Sequence, residues 1–197
     1  MMRRQFLLAS LVSMVSGCAS GMNLFSRGEN FSVNFLSMVN RGLEDVAVSM
    51  PGNREAAWSS QNMTPANPPP RAFNVGDSNI GGDMYTADNN QLVPEEVEVS
   101  WRELPSPGGK PYTGELKGPY RVKVRSRIPP DVLRMARKEG YFIELMFSVG
   151  EWPILFGWDL VEFPSIASGR TGLELIRAGR KPIELVKRGG DSLRQVK

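Results

Sequence analysis

The chain has 197 residues, 41% apolar and 23% charged, which suits one packed domain better than two and excludes global disorder. It holds no histidine and one cysteine, which excludes a Ser-His-Asp triad, a Cys-His dyad, an imidazole metal site, an internal disulfide and a Cys-rich zinc site. A formal charge of +3 is too small for a nucleic-acid footprint, and 20 glycines with 15 prolines favour turns over long helices.

Met1-Met2-Arg3-Arg4 is a short basic start, followed by an apolar run from Phe6 to Val15. Ten helical residues span about 15 Å, roughly half the ~30 Å hydrocarbon core of a bilayer. The pattern is that of a signal peptide over residues 1–17 rather than a membrane span. Val15-Ser16-Gly17-Cys18 resembles the bacterial lipobox, with Val15 at the position more often leucine. The resemblance implies cleavage before Cys18, a diacylglycerol thioether on its sulfur and acylation of the new amine, so Cys18 is the expected lipid-attachment residue. Its thiol is the only one in the chain. Several acyl chains anchor firmly where one does not. Ala19 in place of aspartate implies, by the sorting rule of such lipoproteins, the outer membrane, facing the periplasm. Without its signal the chain has 22 basic and 21 acidic side chains, so the mature protein is nearly neutral.

Residues 18–30 read as a lipidated flexible tether, and 31–190 as a single β-rich domain. Phe31-Ser32-Val33-Asn34-Phe35 alternates with the period of a half-buried strand, Asn40-Arg41-Gly42 signals a turn, and Val46-Ala47-Val48 starts a partner strand. Five prolines between 51 and 71 predict a surface excursion. Val97-Glu98-Val99-Ser100-Trp101 alternates again, and the Pro- and Gly-rich 105–119 reads as a long hairpin connection. Arg121 to Ile128 alternates basic with apolar or small residues, placing Arg121, Lys123, Arg125 and Arg127 in one row. Such a row suits an anionic lipid or phosphate face, or a solvated strand face opposite Glu96 and Glu98; the complementary charge favours the second.

Pro129-Pro130-Asp131 opens a short helix closed by Gly140. Apolar strands are expected over 141–149 and 154–163, around Gly150-Glu151-Trp152-Pro153. Trp152, Phe156 and Trp158 suit either a partner-binding patch or the core, with at least two of them expected in the core. Leu173-Glu174-Leu175-Ile176-Arg177 repeats as Ile183-Glu184-Leu185-Val186-Lys187, a terminal hairpin, before a frayed tail over 191–197. The expected fold is mainly β, an antiparallel sandwich-like domain with one short helix.

No motif for catalysis survives inspection. Gly76-Asp77-Ser78 is reminiscent of a serine-esterase nucleophile block, but that chemistry needs a histidine base. Gly108-Gly109-Lys110 lacks the spacing of a phosphate loop, and Asp77, Asp83 and Asp88 do not match a calcium loop. The expectation is a non-enzyme with no cofactor and no metal.

From about Gly76 to Arg188 the chain resembles uncharacterised proteobacterial lipoprotein families that include immunity proteins against type VI secretion phospholipase effectors. The resemblance rests on Gly81-Gly82, on Pro94 to Trp101, on Lys110-Pro111-Tyr112, on Ile128-Pro129-Pro130 and on Gly179-Arg180-Lys181-Pro182-Ile183-Glu184. It implies a lipoprotein that binds a secreted lipase effector, encoded nearby, and occludes its active site. Within this reading the polar loop 76–90 is the first candidate surface, with Asp77, Asp83, Tyr85 and Asp88 as contacts. The alternative is a structural or assembly adaptor of the cell envelope, and a third possibility is a sensor of a small envelope ligand.

Overall fold

The computed structural model describes residues 28–53, 55–63, 85–86, 91–104, 110, 113–163, 179, 181 and 183–191. The signal peptide, Cys18, the first arm of the expected terminal hairpin, and Asp77, Asp83 and Asp88 lie outside these. None of the described helices is long and apolar enough to cross a membrane.

The described chain is mainly β, in two sheets. One has five strands in the order β4-β1-β7-β8-β9: Tyr85–Thr86, Phe31–Ser37, Tyr141–Val149, Phe156–Glu162 and Glu184–Gly190. The other has four in the order β3-β2-β5-β6: Ala56–Met63, Leu43–Ser49, Glu96–Glu103 and Leu116–Lys123. Every pairing is antiparallel except that of β1 with β7, which run parallel with Phe31 opposite Ile143 and Ser37 opposite Val149.

Period-two alternation builds the layer between the sheets. Phe31, Val33 and Phe35 of β1, Ile143, Leu145 and Phe147 of β7, and Phe156, Trp158 and Leu160 of β8 share one cluster. Val46, Val48, Trp58, Val97, Val99, Trp101 and Val122 supply the other sheet's share. The helix α1, Pro130–Met135, adds Val132 and Leu133, starts with proline at its first position and carries Asp131 in its first turn.

Four expectations are corrected. β1 and β2 do not form a hairpin: the turn at 38–42 carries the chain from one sheet to the other, with Met38 N–H bonded to the Val149 carbonyl. The excursion at 51–71 contains a full strand, β3, whose buried positions include Ser60 as well as Trp58 and Met63. A buried serine breaks the apolar alternation from which a strand is read. The polar loop 76–90 holds the two-residue strand β4, with Tyr85 in register with Val33 and Thr86 with Ser32.

The basic row is also not one strand. β6 ends at Lys123 and the chain turns into a 3-10 segment at Arg125–Arg127, with the Val124 and Arg125 N–H groups bonded to the Glu95 and Pro94 carbonyls. Gly118 sits beside the irregularity in the β5–β6 pairing with φ +97, and a Cβ there would press on the Val99 carbonyl at 2.7 Å.

Candidate functional site

Three of the four cations of the basic row pair with different acids. Arg121 pairs with Glu98 at 3.1 Å, and Lys123 stands opposite Glu96 in the β5–β6 register. Arg125 turns inward to Glu29, while Arg127 binds Asp191 at 2.6 Å and lies over the Phe156 ring, 5.1 Å from its centroid. Of the two readings the sequence allows for this row, the Arg121–Glu98 pair matches the strand-face reading, while Arg125 and Arg127 leave the strand and pair elsewhere. The charges of Arg121, Arg125 and Arg127 are thus matched within the fold.

Glu29 is the centre of the tightest polar cluster. Its carboxylate is 0% exposed and accepts from Arg125 at 2.9 and 3.0 Å, from Arg137 at 2.8 and 3.2 Å, and from the Val93 N–H at 2.9 Å. Burial pushes this carboxyl up, but the bonds from Arg125, Arg137 and Val93 and the Arg125 charge outweigh it, leaving it below its ordinary value. Beside it Asn30 donates through its side-chain amide to the Lys138 and Tyr141 carbonyls at 3.3 and 3.2 Å. The expected tether therefore ends inside the framework, and its last two residues belong to the fold. Sequence reading missed them because a charged residue and an amide before a strand look like solvated linker.

A second polar row crosses the five-stranded sheet on the face turned away from the other sheet. Successive registers bring Ser32, Glu144, Asp159 and Arg188 side by side. Asp159 is buried and accepts two bonds from Arg188, Nε to Oδ1 and Nη2 to Oδ2, both at 2.8 Å. Burial raises the Glu144 carboxyl and the Asp159 charge raises it further, against a smaller opposite pull from Arg188. Two carboxylates facing each other are a familiar acid–base arrangement. Here one is tied to a guanidinium on both oxygens, which leaves it serving the sheet. Among the described residues there is no group of three or more acidic or cysteine side chains placed to hold a metal ion.

The aromatic trio divides as expected. Phe156 and Trp158 are core residues, and the Trp158 indole N–H donates to the Arg127 carbonyl at 3.1 Å. Trp152 is 64% exposed. Its position between Gly150 and Pro153 was the available signal, since a turn, unlike a strand, has no buried face. Gly150 takes φ +101 there, a conformation glycine adopts without strain. From this turn Trp152 reaches the other sheet and stacks on Tyr120 of β6, ring centroids 4.9 Å apart at 28°. Tyr120 in turn lies 5.2 Å from Trp101, so three rings run from core to solvent. Trp101 Nε1 is the one buried side-chain polar atom without a partner among the described residues.

Charged side chains surround the base of this ladder. Lys117, opposite Trp101 in register, pairs with Glu115 at 2.6 Å, and that bond, with the fields of Glu103 and Tyr120 contributing, holds its ammonium above the usual lysine value. Glu103 is itself bound by Arg41 at 2.7 Å. Of the loop contacts expected at 76–90, the described structure includes only Tyr85, at the far edge of the five-stranded sheet from β8.

Comparison with family models, with curated proteins and with solved structures returns no match to this chain.

Proposed function

We propose that this chain is a lipid-anchored binding module of the bacterial envelope. It would be held at Cys18, face the periplasm, and bind a secreted lipase effector so as to occlude its active site. The observation that carries the tethered-module reading is the locking of Glu29 and Asn30 into the framework soon after the lipobox. A lipid anchor positions a domain only if the chain between them ends in something that does not fray, and a buried carboxylate held by two arginines resists fraying. The lipase as partner comes from the resemblance of 76–188. Pairing of Tyr85–Thr86 with β1 gives the loop 76–90 a fixed point on a rigid sheet, which suits a loop that must block an enzyme entrance.

The test is fractionation of cells carrying the full chain or its Cys18→Ser variant, with pull-down of any lipase encoded beside it. The expected result is an envelope-bound chain that captures the lipase and rescues intoxicated cells, and a variant released from the membrane. An unchanged distribution of Cys18→Ser removes the anchor. Failure to capture or neutralise the lipase removes the immunity role and leaves the adaptor.

A further inference from the structure

We propose that the solvent face of Trp152 is a saccharide-binding platform. The chain has four tryptophans; Trp58, Trp101 and Trp158 are buried, and Trp152 alone presents its indole to water. The ring is exposed yet oriented, because one face rests on Tyr120 and Tyr120 rests on Trp101. An oriented ring loses little freedom when a ligand stacks on its open side.

The surroundings select the class of ligand. A protein-binding anchor sits in a contiguous apolar patch from which water is excluded. Here the exposed apolar neighbours in the chain are Pro153 beside Trp152, and Pro119 and Leu116 near Tyr120, and charge lies with them: Glu151 precedes Trp152 and is exposed, and Lys117, near enough to Tyr120 to feel its field, carries Glu115. An aromatic face is electron-rich at its centre. The matching partner carries weakly positive C–H groups on one flat side and hydrogen-bonding groups around its edge. A pyranose ring has that construction: its C–H face lies on the indole while its hydroxyls meet carboxylates and cations at the rim. Glu151 and Lys117 are the side chains we assign to that rim. This proposal does not rest on the lipase reading.

With the other three indoles buried, fluorescence accessible to a soluble quencher comes from Trp152, so the full chain carries its own reporter. Titration with triacetylchitotriose, cellotriose and maltotriose should protect that fraction and shift its emission to the blue. The expected dissociation constant is about 1 mM, the weak regime of a single stacked ring. Trp152→Ala should abolish the response and binding measured by ligand-observed NMR; Trp152→Phe should retain part of it; Lys117→Ala should weaken it several-fold with the emission spectrum of the free protein unchanged. Three results would each overturn the proposal: no protection by any of the three sugars, equal NMR binding to Trp152→Ala, or protection that depends on protein concentration or on added lipase but not on sugar.

Discussion

Glu29 and Asp159 are both buried carboxylates bound by arginine, and the contrast between their settings shows how local charge balance decides what burial does. Glu29 receives two guanidiniums and a backbone N–H, so its negative charge is more than matched. Asp159 shares its guanidinium's field with a second carboxylate directly opposite, Glu144. Burial works against ionisation at both places. The surplus of positive partners at the first pulls the Glu29 carboxyl down, whereas at the second burial pushes Glu144 up and the negative neighbour adds to it. Burial by itself predicts the direction at Glu144 but not at Glu29, where the positive partners reverse it.

The largest expected effect comes from removing the better-balanced acid. Glu29→Ala leaves two cations facing each other beside an unbonded Val93 N–H, and should cost about 3 kcal/mol, the scale for breaking a buried pair. Chemical denaturation measures it, and a loss below about 1 kcal/mol would mean that water already does the work assigned to Glu29. Asp159→Ala should cost less, about 2 kcal/mol, because Arg188 is 41% exposed and can turn to solvent when its partner is gone. If the two variants are equally damaging, the difference in balance carries no energy.

A neutral pair sharpens the same point. Trp158 donates its indole N–H to Arg127, while Trp101 Nε1 has no partner. Replacing either with Phe leaves a similar void. Trp158→Phe also strands a carbonyl, so it should be the more destabilising by about 1 kcal/mol. Equal losses would point to packing alone.

The smallest effect has the opposite sign. Glu144→Gln removes a repulsive charge and should leave stability at neutral pH unchanged or raised by less than about 1 kcal/mol. The pH profile separates the two centres further. Glu29 sits below its ordinary value, so its contribution is full above the normal carboxylate range and is lost as pH falls through its lowered pKa. Glu144 sits above its ordinary value, so its contribution is full at acid pH and is lost as pH rises through that raised pKa. Glu144→Gln should flatten the decline on the upper side and leave the acid limb in place. Loss of the acid limb in this variant would reassign it away from Glu29.

Much of the β character was legible in the sequence, because one-faced apolar alternation at 31–35 and 97–101 has no helical counterpart. The strand at 141–149 has the bounds expected of it. What stayed hidden was anything that depends on distant pairing. Asn40-Arg41-Gly42 announces a reversal of the chain but not whether the next strand joins the same sheet. The basic row looked like a single face because its alternation continues through Arg127, while the hydrogen bonds of Val124 and Arg125 to Glu95 and Pro94 turn the chain before it. At the candidate site, the exposure of Trp152 could be read from its turn. Its stacking on Tyr120 could not, since one ring comes from the turn between β7 and β8 and the other from the opposite sheet.

The parallel pairing of β1 with β7 has a consequence for the order of assembly. Glu29 and Arg137 are 108 positions apart, and every core partner of β1 on the β7 side is about as remote. The central ladder of the five-stranded sheet thus waits for most of the polypeptide to be present, a high-contact-order closure that slows folding. Until the seventh strand arrives, the first has within its own sheet only the two residues of β4 to grip, so one of its edges stays open through most of synthesis.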